Sequence, residues 1–120
     1  MNAIADLEKL SHLLPSLIKK HKAALDDKKK AMATLKKEGL IYASEHWREG
    51  KYFYLIHPTQ PSGERKREYI GTDQKRIAKA KAAMRRAAEY DGLERLSRDI
   101  EQTMQQCSQS LRATVLILKH

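Results

Sequence analysis

At 120 residues the chain has the length of one ordinary domain. Its 24 Lys and Arg outnumber 15 Asp and Glu, giving a formal charge of +9 and a pI near 9.7, a surface that attracts polyanions. A lone cysteine excludes an intramolecular disulfide framework, no apolar run approaches the roughly 20 residues of a membrane-spanning helix, and the N-terminus lacks a signal-peptide layout. These features predict a cytoplasmic protein with no membrane partner.

Residues 3–38 read as a helix. Ile4, Ser11, Ile18, Leu25 and Met32 recur in heptad spacing, as do Leu7, Leu14, His21, Lys28 and Leu35. Most of these positions are apolar, which describes a helix seam, with His21 a partly buried member. Pro15 lacks a backbone donor and disfavours α geometry at Leu14. Either the helix kinks there, or a short helix ends near His12 and a longer one starts with Pro15 in its first turn. The reading adopted is the break. The many lysines between Lys19 and Lys37 fit a solvated face, diluted by Asp26 and Asp27. Gly39 suits the left-handed position after a helix end.

A small sheet is expected over residues 40–71. Leu40-Ile41-Tyr42-Ala43 starts a first strand running to Trp47, and Arg48-Glu49-Gly50 makes a tight turn. Tyr52-Phe53-Tyr54-Leu55-Ile56, dense in aromatic and β-branched residues, forms the second strand. Pro58 to Gly63 supplies turn chemistry, and Arg65 to Ile70 returns as the third strand, ended by Gly71. Alternation groups Phe53 with Leu55 on one face, and Tyr52, Tyr54 and Ile56 on the other. It likewise groups Arg65, Arg67 and Tyr69 against Lys66, Glu68 and Ile70. One face of the middle strand packs on helix; the other meets a partner or presents aromatics beside basic residues.

A second long helix is expected over 73–118, capped by Thr72 or Asp73, with a kink or break at Gly92. Its apolar series runs Ile77, Ala80, Met84, Ala87, then Leu93, Leu96, Ile100, Met104, Cys107, Leu111, Val115 and Leu118. Cys107 falls in register with the core. The fold class is therefore α+β, mostly α: two long helices, antiparallel and coiled-coil-like, flanking a two- or three-stranded antiparallel sheet. The apolar run Ala113 to Leu118 asks for a further partner surface, and a homodimer is expected.

Lys75, Arg76, Lys79, Lys81, Arg85 and Arg86 lie between Asp73 and Glu89 with no acid among them. An ordinary soluble helix mixes signs for i, i+4 pairing, so this span points to a polyanion. Arg65, Lys66 and Arg67, with Lys51 and Arg48 across the turn, extend the basic region onto the sheet; Glu64 and Glu68 moderate it. Small sheets fit the major groove of duplex DNA, where arginine contacts guanine in bidentate fashion. Trp47, Tyr52 and Tyr54 are candidates for stacking on bases, with core packing an equal account of the two tyrosines. The expected nucleic-acid-binding set is Trp47, Arg48, Lys51, Arg65, Lys66, Arg67, Lys75, Arg76, Lys79 and Arg86. A protein-interaction module or inhibitor engaging an acidic partner is the alternative.

Gly50-Lys51-Tyr52-Phe53-Tyr54, then Ser62-Gly63-Glu64-Arg65-Lys66-Arg67, then the alanine-rich Ala78–Ala88 helix, resembles the AP2-like arm-binding domains of tyrosine integrases. The likeness spans about 40 residues. It implies a three-stranded sheet docked in the major groove with a helix behind it, and Lys51, Arg65 and Arg67 facing the groove. The Tyr69-Ile70-Gly71 strand end, flanked by helices, is also similar to helix–hairpin–helix proteins of mobile elements, implying an origin in a mobile element or phage. The long helices depart from the integrase pattern of one short helix.

His12, His21, His46, His57 and His120 are scattered, without the spacing of a helical zinc site. No glycine-rich phosphate loop appears. No metal, cofactor or catalytic residue is expected, and the chain does not read as an enzyme.

Overall fold

The computed structural model describes residues 2–120. The order is α1 (Ala3–Glu38), β1 (Ser44–Arg48), β2 (Tyr52–Ile56), β3 (Arg67–Gly71) and α2 (Gln74–Leu118), with the strands in one antiparallel sheet ordered β1-β2-β3. The expected class, two long helices flanking a three-stranded antiparallel sheet, is the one observed. The chain divides into two compact units: the described residues up to Ala31 with Leu93–His120, and Met32–Gly92.

The helical unit comes first. α1 starts where the Asn2 side chain accepts the Ala5 N–H at 3.2 Å, satisfying one of the orphan donors of the first turn. The break expected at Pro15 does not occur; the helix passes through it uninterrupted. Pro15 is exposed, so water can take the Ser11 carbonyl that loses its donor. The seam continues in phase across it, through half-buried Leu14, His21 and Leu25. One lost hydrogen bond and a ring clash cost about 3 kcal/mol, which the rest of a 36-residue helix outweighs. Gly92 does not end α2 either.

On α2 the seam differs from the apolar series. Ser97 is buried at 3 % exposure, while its neighbour Leu96 is half exposed. Thr114 is half-buried and Val115 is not. Leu93, Ser97, Ile100, Met104, Cys107, Leu111, Thr114 and Leu118 alternate fours and threes, the heptad pattern of a two-helix seam. Cys107, expected in the core, is exposed. Its small side chain stands beside a cleft shared with Leu14, His21 and Met104. Lys29 pairs with Glu101 at 3.1 Å on the same helix pair, and the sequence order of facing residues is antiparallel.

In the second unit β2 is central. Phe53 and Leu55 are fully buried, and Ile70, Ile77 and Ala80 close the core around them, flanked by Ile41, Ala43 and Met84. Each of the two fully buried side chains contributes about 1.5–3 kcal/mol by leaving water. The alanines at 80, 83 and 87 are buried, so α2 lies close behind the sheet. Asp73, rather than Thr72, caps α2, its carboxylate accepting the Lys75 N–H at 3.2 Å.

Two strand boundaries shift from expectation. β1 begins at Ser44, not Leu40, because the Ile41 N–H donates to the Ala83 carbonyl of α2 at 3.2 Å and Ile41 and Ala43 pack into the core. β3 begins at Arg67, not Arg65, because the Gln60 N–H donates to the Glu64 carbonyl and closes a loop across those residues. Glu49 and Gly50 both have positive φ, 55° and 71°, and the Lys51 N–H closes on the Arg48 carbonyl at 3.2 Å. That combination is the tight hairpin turn whose twist matches its strands. Between β2 and β3 the register slips: Tyr54 pairs with Tyr69 but Phe53 with Gly71, leaving Ile70 as the extra residue of a bulge.

Candidate nucleic-acid interface

Strand alternation and register assign each side chain of the sheet to a face. Trp47 lies opposite Phe53, while Glu45 and Glu68 lie opposite Leu55, so these share the face that buries its core against α2. On the other face Arg48 lies opposite Tyr52, and His46 and Tyr69 flank Tyr54. Ser44 and Arg67 flank Ile56. The open face thus carries two arginines, a histidine and three tyrosines, and none of its strand positions is acidic.

Its aromatic rings form a row. Tyr54 stands 4.9 Å from Tyr69 and 6.2 Å from His46, ring centre to ring centre. Tyr69 remains half exposed and Tyr52 and Tyr54 are partly so, which removes these tyrosines from the core account. Lys51 places its ammonium 5.4 Å from the Tyr52 ring centre, adding a third cation at the hairpin end.

The carboxylates of the opposite face are held by partners on that side. Glu45 lies 3.8 Å from the Lys81 ammonium, and Glu68 lies 3.0 Å from His57 Nε2. Glu68 therefore does not moderate the patch as the sequence suggested. Trp47 also departs from expectation. Its ring packs 4.8 Å from Phe53 and holds Lys81 Nζ at 5.3 Å, on the α2 side of the sheet.

The remaining basic residues do not converge on the open face. Arg65 lies outside β3, where its Nε–H donates to Thr59 Oγ1 at 3.3 Å. Lys66 is exposed, and its carbonyl accepts the His57 N–H at 2.9 Å. Arg76 and Lys79 line a shallow groove on the α2 flank with Leu40, Ile41 and Ile70, and Lys75 is exposed in the first turn. Arg86 is occupied within the fold: Nε donates to the Gly39 carbonyl at 2.8 Å and Nη2 to the Glu38 carbonyl at 3.2 Å. It caps the C-terminus of α1, where Gly39 takes φ 111°. The cations expected to form one platform are thus dispersed: Arg48, Lys51 and Arg67 at the open sheet face, Arg65 and Lys66 in the loop before β3, Lys75, Arg76 and Lys79 on the α2 flank, and Arg86 at the end of α1.

Tyr52, Tyr54, His46 and Tyr69 are open-face residues outside the sequence-based set; of these, His46 and Tyr69 are not among the stacking candidates either. Tyr69 was legible from its alternation with Arg67, whereas His46 needed the β1 register. Among the described residues no cluster of His, Cys, Asp or Glu could hold a metal ion, and no helix is long and apolar enough to cross a membrane.

Comparison with protein-family models, with curated proteins and with solved structures gives no match.

Proposed function

We propose that the chain is a cytoplasmic, non-catalytic accessory or regulatory protein that binds duplex DNA through the open face of its sheet. The observation that carries this reading is the sorting of charge between the two faces. Arg48 and Arg67 lie among tyrosines on a face with no acidic strand position, while Glu45 and Glu68 lie on the face toward α2. A three-stranded sheet has the dimensions to enter the major groove, where arginine side chains reach guanine edges and phosphates. Tyr54 and Tyr69 supply flat apolar contact area between those cations. Lys75, Arg76 and Lys79, on α2, provide a second cationic strip for the backbone at the groove wall. The resemblance to AP2-like arm-binding domains supports the same orientation, sheet toward DNA and helix behind.

Gel-shift titrations with duplex DNA, single-stranded DNA and RNA across a salt series test the proposal. Duplex DNA is expected to bind tightest, with affinity falling steeply as salt rises. No duplex binding at low salt, or binding insensitive to salt, overturns it. Tightest binding to single strands would reassign the tyrosines as base-stacking platforms. The cationic face also fits an acidic protein. A single protein retained after nuclease treatment, together with no binding to duplex DNA, favours that reading.

A further inference from the structure

The helical unit leaves far more apolar surface uncovered than its own seam uses. None of α1 is buried. Leu10, Leu13, Leu17, Leu111, Val115 and Leu118 remain between 37 and 67 % exposed. Between the two helix segments run two clefts of about 490 Å³ each, which share Leu14, Leu17 and Leu111 and so form one apolar groove. The same stretch is almost empty of charge. His12 is the one titratable residue between Lys9 and Lys19, no acid or base stands between Glu101 and Arg112 save Cys107, and none stands from Ala113 to Leu118.

We propose that this face of the helical unit is the contact between two copies of the chain, each helix pair seating its leucines in the other's groove as a four-helix bundle. Charge selects the occupant. Two chains of +9 repel wherever their cations meet, and this stretch is where a copy meets almost none. An acidic partner would find Arg112 alone there to pair with. A lipid surface would call for a row of lysines and arginines along the polar side of the same stretch, where serines and glutamines stand around that single arginine.

The area agrees. The α1 lining of the groove, from Leu7 to His21, extends about 22 Å at 1.5 Å per residue. Two helices side by side at the usual spacing of about 10 Å make a layer roughly 20 Å wide. Two such layers face to face present roughly 900 Å² of outline in total, which interdigitating side chains raise to about 1,000 Å², the lower bound of a specific protein interface. A twofold axis presents the same patch from both sides, so a self-complementary leucine face is sufficient. This assembly does not depend on the DNA-binding reading.

The test uses the full chain without nucleic acid. Sedimentation equilibrium at about 1–50 μM is expected to give twice the 13.8 kDa chain mass. Cys107, exposed in one copy and lining the groove, is expected to react with a thiol reagent at least about tenfold more slowly in the concentrated sample than at nanomolar dilution. Leu13→Glu with Leu17→Glu, both at exposed positions, is expected to give the monomer mass. A monomer throughout the range overturns the proposal, as does a dimer whose Cys107 reacts equally fast at both concentrations. So does a dimer that survives the double substitution, or a monomeric chain that partitions onto neutral or anionic vesicles.

Discussion

Arg86 donates its Nε–H to the carbonyl oxygen of Gly39, 2.8 Å away and distant in sequence, joining α2 to the end of α1. This hydrogen bond separates a cation that holds the fold from cations free to meet a ligand. Its Nη2 reaches the Glu38 carbonyl as well, so the guanidinium satisfies one of the carbonyls that the helix end leaves without donors, together with that of the glycine that follows it. Arg86→Ala is therefore expected to lower stability by about 1.5–3 kcal/mol in urea unfolding, since it removes hydrogen bonds from a charged group. The salt dependence of DNA binding should stay as in the parent chain.

Pro15 offers a prediction of opposite sign. It sits exposed inside an unbroken helix, where proline costs about 3 kcal/mol relative to alanine. Pro15→Ala is expected to stabilise the chain by about 1–3 kcal/mol, read as a higher urea midpoint. A neutral or destabilising result would mean that α1 is interrupted at Leu14 after all.

Much of this arrangement was legible in residue pattern. The aromatic and β-branched run from Tyr52 to Ile56 identified the central strand, and alternation alone separated Phe53 and Leu55 from Tyr52 and Tyr54. Gly39 marked the end of α1. The helix seam was harder, because Ser97 and Thr114 occupy core-facing positions that an apolar count skips in favour of Leu96 and Val115. Small polar side chains fit where two helices approach closely, and hydrophobicity does not report that fit. The site was half legible. Arg67 and its face followed from parity, but the fates of Arg86 and Trp47 depended on partners far along the chain.

Trp47 is the lone tryptophan and therefore a built-in probe of which face meets DNA. Its ring lies beside Phe53 and Lys81, on the α2 side of the sheet. Titration with duplex DNA is expected to leave its emission maximum in place and to change its intensity little. Strong quenching, as produced by stacking on a base, would put the opposite face of the sheet against the nucleic acid. Trp47→Phe should bind DNA within about twofold of the parent, since each factor of ten corresponds to about 1.4 kcal/mol and no phosphate-binding group is removed.

The most direct test of the open face is the salt slope of duplex binding for the parent chain and for Arg48→Ala with Arg67→Ala. Removing one cation that neutralises a phosphate reduces the slope of log K against log salt by about 0.9. The double variant is thus expected to bind more weakly, with a slope shallower by about 2 if both arginines meet phosphates and by less if one reads a base. It should unfold at the parent's urea midpoint, because both residues are exposed. An unchanged slope and affinity in a folded double variant would contradict the assignment of the open face as the DNA-binding surface.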